Sequence, residues 1–335
     1  MDMRVGWVFH QDFLKHHAGP LHPERPERLD AIVSALTGEG LLRMMQPLDF
    51  APAAPADLSG VHDPAYIDLV RMACREGITC VGSKETRICR HTYSAAMLAV
   101  GGVLAACEAA MNGGPRRSFC AVRPPGHHAE RDYAMGFCIF NNIAVAADIL
   151  VRKHGLERVA IVDFDVHHGN GTQSAFESRA DVLFVSIHQD PATLFPGSGY
   201  ESETGHGKGR GYTVNVPMPP GSDDAAYRRA FAEKIMPWLY RYQPQFLLVS
   251  SGFDAVRDDP ISRINLEPDS FAWMTLELVG LAESCCGGRL VSVLEGGYEL
   301  DSLRRSVVAH VLSLMNEKTG ERAHRASASP EADCV

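Results

Sequence analysis

Clusters of chemically capable side chains directly follow apolar runs at several places in this sequence. RPPGHHAE (123–130) contains the adjacent histidines His127 and His128, and DFDVHHGNG (163–171) contains two aspartates and two more histidines. GFDA (252–255) and EGGY (295–298) add an aspartate and a tyrosine. Imidazole and carboxylate groups bind metal ions and transfer protons, so these clusters predict metal-assisted or acid–base chemistry.

The stretch DFDVHHGNG indicates a metal site. If residues 163–167 continue a strand, the period of two points Asp163, Asp165 and His167 to one side. Asp254 follows another apolar run and could supply a further ligand. A set of two carboxylates and one imidazole, without a thiolate, leaves coordination positions open and suits a catalytic Zn²⁺. Carboxylates also accept Fe²⁺ or Mn²⁺, so the residue types do not decide which metal binds.

An open zinc site of this kind predicts hydrolysis. Zinc lowers the pKa of a bound water from ~15.7 towards ~7 and polarises a carbonyl group. A base must then take the proton of the water, and an acid must protonate the leaving nitrogen. His127 and His128 are the candidates for both tasks. Tyr298, on the Gly-Gly turn of EGGY, could donate a hydrogen bond to the oxyanion.

The apolar runs predict the elements that position these groups. Their continuous content of Val, Ile, Leu and Phe is typical of strands covered on both faces. Residues 141–155 and 222–242 carry capping residues at their starts and predict helices between strands. The fold class is therefore α/β: a single-domain open parallel sheet with helices on both faces. Ligands bind at the C-terminal strand ends of such sheets, where the clusters fall. The predicted strands are 118–123, 158–165, 181–188, 245–251 and 289–295.

Composition excludes several classes of protein. The chain has 335 residues and a formal net charge of −9, so we expect no nucleic-acid binding, which needs a basic surface. Its nine cysteines form no Cys-x-x-Cys pair, which argues against a disulfide framework and favours a cytoplasmic location. Residues 94–111 are apolar but too short for a membrane span, so we expect a buried helix and no membrane association. We predict one catalytic domain, 1–315, and a polar, flexible tail, 316–335.

The motifs together resemble the zinc-dependent histone deacetylase family. The resemblance rests on RPPGHHAE, MGFCIFNN, DFDVHHGNGTQ, SIHQ, FPGSG, SGFDA and EGGY, and it runs from HPERPERL (22–29) to EGGYEL (295–300). The form of RPPGHH and the presence of Asn170 are similar to the class II and bacterial deacetylase-like amidohydrolase branch. This resemblance implies an arginase/deacetylase-like fold and the removal of acetyl or other short acyl groups from lysine side chains.

The resemblance also implies individual roles. His127 and His128 match the tandem catalytic histidines, with His128 as the expected general base and acid. Asp163 matches the carboxylate partner of the first histidine, and Asn170 takes the place of the partner of the second. A neutral partner stabilises an imidazolium less than a carboxylate does, so the two histidines should differ in proton affinity. The resemblance implies that Asp165, His167 and Asp254 are the zinc ligands. It also implies that Tyr298 binds the carbonyl group of the substrate.

Further roles follow from the resemblance alone. Gly136, Phe137 and Phe195 match positions of the acyl-lysine tunnel, and Arg28 matches an arginine near an internal acetate channel. Family members often bind structural K⁺, which implies two further sites. The residues implied for the first are Asp163, Asp165, His167, Ser186 and Ile187, and those for the second are Phe176, Arg179, Val182 and Tyr212.

The sequence leaves the substrate open between two kinds of amide. Ile261 stands where polyamine-selective relatives can carry an acidic residue, so we expect an acyl-lysine protein or peptide as the substrate. A small acetylated amine, hydrolysed by an acetylpolyamine amidohydrolase, remains the alternative. A catalytically silent acyl-lysine binding protein is a remote third. Gly252, two residues before Asp254, disfavours the second carboxylate of a dimanganese site. The sequence leaves the oligomeric state open.

Overall fold

The structure is a computed structural model and describes residues 5–316. One parallel sheet forms the centre of this part of the chain. Its eight strands run in the order β2-β1-β3-β8-β7-β4-β5-β6, and each pair of neighbours is parallel. The predicted α/β class is confirmed. In chain order the strands are β1 Gly6–Val8, β2 Gln46–Pro47, β3 Arg117–Cys120, β4 Val159–Asp163, β5 Val182–Gln189, β6 Thr213–Met218, β7 Phe246–Ser251 and β8 Leu290–Leu294.

Helices cover both faces of this sheet. The helices α1, α9 and α10 pack together, and α4 packs on α5. The strands β3 and β7 contact members of both groups, so the two groups lie on opposite faces. The helices are α1 Glu27–Gly38, α2 Pro55–Leu58, α3 Pro64–Arg75, α4 Thr92–Met111, α5 Asn142–Arg152, α6 Asn170–Phe176, α7 Asp224–Ala230, α8 Met236–Tyr242, α9 Ser270–Cys285 and α10 Leu300–Leu314.

The central strands are apolar because both of their faces are covered. Every residue of β3, β4, β5, β7 and β8 is buried. A strand in that position loses no stability by carrying apolar side chains on both faces, which is why the alternating pattern of a half-exposed strand is missing here. Helix α4 is long and apolar enough to cross a membrane, but 67% of its most apolar stretch is buried inside the domain. The expectation of a buried helix is therefore confirmed.

Two local predictions are wrong. Residues 163–167 are not extended, because β4 ends at Asp163 and the chain then bends. The predicted helix 222–242 is two α-helices, α7 and α8, joined by a π-helical turn at Phe231–Ile235. Its cap is the side chain of Asp223, which accepts from the Ala226 N–H, and not the preceding serine. Most of the predicted tail, 317–335, lies outside the described residues.

Candidate active site

Three predicted metal ligands meet beyond the carboxyl ends of β4 and β7. Nδ1 of His167 lies 2.9 Å from Oδ1 of Asp165 and 3.2 Å from Oδ2 of Asp254. All three side chains are buried. Zinc–ligand bonds of ~2.0–2.2 Å in a tetrahedron place neighbouring donor atoms roughly 3.3 Å apart, so these separations suit one shared ion. Asp165 and His167 lie in the bend that follows Asp163, and Asp254 lies in the loop after β7.

The surroundings of the triad fit a bound cation. Oδ2 of Asp254 is buried and has no hydrogen-bond donor among the described residues. A Cβ at Gly252 would lie 2.0 Å from Oδ2 of Asp165, and one at Gly296 would lie 2.1 Å from Oδ2 of Asp254. A side chain at either position would overlap a carboxylate oxygen, so both positions require glycine. A buried acceptor without a donor is costly unless a cation is bound to it, so the triad fits a metal.

Backbone N–H groups hold the two carboxylates in place. The Val166 N–H donates to Oδ1 of Asp254 over 2.9 Å, and the Gly296 N–H donates to Oδ2 of Asp165 over 2.8 Å. Asp254 therefore has one oxygen fixed by the protein, whereas Asp165 has both, since its Oδ1 also accepts the His167 N–H over 2.9 Å. Such outer contacts orient metal ligands and tune their basicity.

The tandem histidines lie beside the triad and have different partners. Nδ1 of His127 lies 2.9 Å from Oδ2 of Asp163, and its Nε2 lies 3.9 Å from Oδ1 of Asp165. Nδ1 of His128 lies 2.7 Å from Oδ1 of Asn170. The structure thus places both histidines with the partners that the resemblance implied, near the triad but outside it.

The two imidazoles differ in proton affinity as expected. Burial lowers the pKa of His127, but the carboxylates of Asp163 and Asp165 outweigh burial and raise it to about 10. Burial lowers the pKa of His128 well below its usual range, and the positive charges of His127 and His167 lower it further. His128 is therefore the neutral member of the pair at pH 7, and the one able to accept a proton.

Glu295, for which no role was predicted, anchors the histidine loop. Its Oε2 accepts the N–H of Gly126 over 2.7 Å and the N–H of His127 over 3.1 Å. Its Oε1 accepts the Ser250 hydroxyl over 3.2 Å. Burial raises the pKa of Glu295 to about 7. Its position at the end of the β8 apolar run was the available signal, but only the fold shows that it faces the loop after β3.

A cavity of about 210 Å³ leads from the surface to His128 of the histidine pair and to His167 of the triad. Tyr298 and His128 lie on its wall together with His167. Burial raises the pKa of the Tyr298 phenol well above its usual range, so the phenol keeps its proton and can act as a hydrogen-bond donor. The guanidinium carbon of Arg28 lies 4.9 Å from the centre of the Tyr298 ring. Arg28 is buried behind this tyrosine, where it donates to the carbonyls of Gly297 and Glu295, and it does not line the cavity.

Four of the predicted substrate-tunnel residues line this cavity, and the fifth, Arg28, does not. The ring centre of Phe195 lies 5.0 Å from that of His128, and the ring centre of Phe137 lies 6.0 Å from that of Tyr298. Gly136 has φ +56, and a Cβ there would lie 2.3 Å from Cδ2 of His128. The predicted residues that line the cavity are Gly136, Phe137, Phe195 and Ile261.

Glu85 also lines the cavity, and no role was predicted for it. Its Oε1 lies 3.4 Å from the N–H of Gly136, and the residue is exposed. A carboxylate at this place offers a charge to a substrate that enters. Its loop carries no apolar periodicity, so the sequence contains no signal that this residue reaches the site.

Of the residues implied for potassium, Asp163, Ser186 and Ile187 of the first set are neighbours in the sheet, and Asp165 and His167 lie in the bend after β4. Asp163 on β4 is paired in register with Ser186 on β5, and Ile187 follows. In the second set, the carbonyls of Phe176 and Tyr212 each accept one N–H, from Arg179 over 2.8 Å and from Phe184 over 2.9 Å. Val182 begins β5 beside them.

Comparison with known proteins shows relatives along most of the chain. A family model described as "Histone deacetylase domain" matches residues 22–314. The "Probable deacetylase" of Archaeoglobus fulgidus is 41% identical over 89% of this chain and 82% of its own. The "Histone deacetylase-like amidohydrolase" of Pseudomonas aeruginosa is 39% identical, with the same shares covered. The human "Polyamine deacetylase HDAC10" is 39% identical over 88% of this chain and 45% of its own.

A solved structure shares the whole fold. The crystal structure of the HDA15 HD domain superimposes with a TM-score of 0.87 at 35% sequence identity, covering 98% of this chain and 91% of that one. Members of the matched family are typically zinc-dependent, in agreement with the buried Asp–His–Asp triad. The hypothesis of a catalytically silent binding protein loses its support, because the triad, the histidine pair and the tyrosine are all present and adjacent. This chain belongs to the histone deacetylase family and is a hydrolase of the deacetylase and amidohydrolase type.

Proposed function

We propose that this protein removes acetyl or other short acyl groups from lysine side chains of proteins or peptides, with one Zn²⁺ as its metal and Fe²⁺ as the alternative. The observation that carries this proposal is the meeting of three groups at the inner end of one cavity. These groups are the ligand triad, the neutral His128 and the protonated Tyr298. Amide hydrolysis needs an electrophilic centre, a base and an oxyanion donor, and this arrangement supplies all three.

Zinc held by Asp165, His167 and Asp254 would acidify a water and polarise the substrate carbonyl. The other tasks fall to residues of the chain. His128 accepts the proton of the attacking water and later delivers it to the lysine nitrogen, while His127 stays paired with Asp163. The Tyr298 phenol donates to the oxygen on which negative charge develops.

The shape and lining of the cavity favour a lysine side chain. Two aromatic rings, Phe137 and Phe195, lie on its wall, and Leu194 and Ile261 add aliphatic surface. Aliphatic methylenes gain about 0.8 kcal/mol each when they leave water for such a wall. An extended lysine side chain presents several methylenes to it before the acyl group reaches the triad.

An acetylated polyamine is the second candidate substrate. Glu85 at the cavity could pair with a free ammonium of such a molecule, and one relative of this chain is named a polyamine deacetylase. Ile261, in contrast, offers no charge to an ammonium. We favour acyl-lysine because a single exposed carboxylate gives only a weak ion pair in water, about 0–1 kcal/mol.

A direct comparison of substrates tests this choice. We expect a higher kcat/KM for an acetyl-lysine peptide than for N-acetylspermidine, and Ile261→Glu should move the ratio towards the polyamine. Glu85→Gln is the matched probe of the competing hypothesis, since it removes the other charge at the cavity. The reverse order in the wild type, together with a loss of polyamine turnover in Glu85→Gln, would establish the alternative.

Metal analysis tests the zinc assignment separately. Asp254→Ala should lose the stoichiometric zinc that the wild type retains after dialysis, and chelation should abolish turnover in the wild type. Asp301→Asn, which changes an exposed aspartate on α10, is the matched control and should retain both. Full zinc content in Asp254→Ala would contradict the ligand set.

We further propose K⁺ at the two implied sets and a cytoplasmic location. The register of Asp163 with Ser186 supports the first set, and the second lone pairs of the Phe176 and Tyr212 carbonyls support the second. The thermal midpoint should rise in KCl relative to tetramethylammonium chloride of equal ionic strength, because an ion that binds only the native state stabilises it.

The described cysteines are all free thiols, as expected in a reducing compartment.

A further inference from the structure

A second cavity, of about 380 Å³, lies on the opposite edge of the sheet from the active site. Arg158 directly precedes β4 and Tyr212 directly precedes β6, so the cavity is at the amino ends of parallel strands. The five residues of β4 span about 16 Å at ~3.3 Å per residue, and this length of strand separates the cavity from the active site beyond the carboxyl end of β4. The remaining wall comes from Trp238, Arg241 and Tyr242 of α8. We call this cavity the arginine cleft.

Three guanidinium groups make the arginine cleft strongly basic in a chain whose net charge is −9. Within residues 5–316, Arg210 and Arg241 have no carboxylate within ion-pair distance. NH1 of Arg158 lies 3.8 Å from Oε2 of Glu157, whose side chain is 81% exposed. Such an exposed pair contributes little, so the positive charge of the cleft is almost uncompensated.

The negative groups near the arginine cleft already accept hydrogen bonds from arginine side chains. The carboxylate of Asp181, which interacts electrostatically with Tyr242, accepts from Nε of Arg179 over 2.9 Å. The carboxyl end of α8 would repel an anion through its carbonyl groups. One of the carbonyls just beyond this end, that of Gln243, accepts from Nε of Arg158 over 2.9 Å.

Aromatic rings complete the cleft. Trp238 is 37% exposed, and the guanidinium carbon of Arg241 lies 5.5 Å from its ring centre. The rings of Tyr212 and Tyr242 lie 5.8 Å apart at 69°, and the Tyr242 hydroxyl donates to the carbonyl of Ala180 over 3.2 Å. These contacts hold aromatic surface beside the guanidinium groups, where it can pack against a planar ring.

We propose that the arginine cleft binds a small organic phosphate that carries a planar ring, of the nucleoside monophosphate type. Guanidinium groups match phosphate oxygens in paired hydrogen bonds, which explains the arginines. The exposed face of Trp238 explains why a ring accompanies the phosphate. A cavity of this volume lies within the range that small-molecule sites occupy. Because the cleft and the active site lie on opposite edges of the sheet, the ligand does not compete with the acyl substrate.

Trp238 provides the readout, since the chain has only three tryptophans. Zinc-loaded protein is titrated with AMP, with inorganic phosphate and with adenosine, and Trp238, on the opposite edge of the sheet, does not report a phosphate bound to the active-site metal. We expect saturable quenching by AMP, with a Kd at least about tenfold lower than for phosphate or adenosine. Equal affinity for phosphate and AMP would overturn the proposed role of the ring, and the absence of AMP binding would overturn the site.

Variants place the binding in the cleft. Arg210→Gln and Arg241→Gln should each raise the Kd for AMP about tenfold, because each removes a charge-assisted contact to the phosphate. Arg71→Gln, an exposed arginine on α3, is the matched control and should leave the Kd unchanged. Trp238→Phe should abolish the fluorescence response while calorimetry still detects AMP. Quenching that survives in Trp238→Phe, or unchanged affinity in both arginine variants, would contradict the proposal. Binding of a protein in place of AMP would identify the cleft as an interface and would also overturn it.

Discussion

The rings of His127 and His128 lie with their centres 4.0 Å apart, yet their Nδ1 atoms contact partners of different charge. The amide nitrogen of Asn170 donates to Oε1 of Glu130 over 2.6 Å, so its oxygen faces His128. That oxygen can only accept, which places the proton of neutral His128 on Nδ1. Nε2 of His128 is then free to take a proton. The outer partners Asp163 and Asn170 therefore assign different tasks to two adjacent histidines.

Asn170→Asp tests this assignment through the pH dependence of turnover. A carboxylate stabilises the imidazolium of His128 and raises its pKa, so the base stays protonated up to a higher pH. We expect the acidic limb of the kcat/KM–pH profile to move to higher pH. Because Glu130 would oppose the new charge, the double variant Asn170→Asp/Glu130→Gln should show the larger displacement. An acidic limb that coincides with that of the wild type would argue against His128 as the base.

Tyr298→Phe removes the proposed oxyanion donor. We expect kcat to fall about 10²–10³-fold, as it does when one such donor is lost, while zinc content stays stoichiometric. Tyr200→Phe, which changes a tyrosine that is 45% exposed, is the control and should turn over normally. Wild-type turnover by Tyr298→Phe would show that the phenol does not act on the reaction.

Glu295 should act by positioning the histidine loop. Glu295→Ala leaves the N–H groups of Gly126 and His127 buried without an acceptor, at a cost of about 1–3 kcal/mol in the free energy of unfolding. We expect kcat to fall with little change in KM. Glu295→Gln retains an acceptor oxygen and should recover most of both losses. Chemical denaturation and steady-state kinetics measure the two effects, and a Glu295→Ala enzyme with unchanged kcat would refute the positioning role.

His310 should make the fold sensitive to acid. It is buried between the hydroxyls of Thr275 and Ser292, and burial lowers its pKa to about 3. The unfolded chain, with an ordinary histidine pKa of about 6.5, therefore binds more protons between these two values. The free energy of unfolding falls as the pH drops from about 6.5 towards 3, by up to about 1.4 kcal/mol per pH unit for this group.

The comparison of His310→Gln with the wild type isolates that contribution. Glutamine can still bond to both hydroxyls but does not titrate, so the variant should lose less stability between pH 7 and pH 5. Urea denaturation at both pH values provides the measurement. Parallel losses in the two proteins would assign the acid sensitivity to other buried histidines, such as His62, whose pKa burial lowers to about 4.

The sequence by itself determined the class of fold and the core of the site. Runs such as those at β4, β5 and β7 each begin with four consecutive apolar residues, because both faces of a central parallel strand are covered. Polar clusters after such strands necessarily meet at one edge of the sheet. For that reason Asp165, His167 and Asp254 could be assigned to one site before the order of the strands was known.

Only the tertiary structure decided which distant groups touch. Short or polar strands such as β1, β2 and β6 give no periodic signal, and they were not predicted. The bend after Asp163 could not be read from the sequence, because a period of two describes only an extended chain. Glu295 meets the His127 loop and Glu85 meets the cavity through contacts across 168 and 51 positions of chain. Such contacts depend on how the strands order and the helices pack, and no local pattern encodes them.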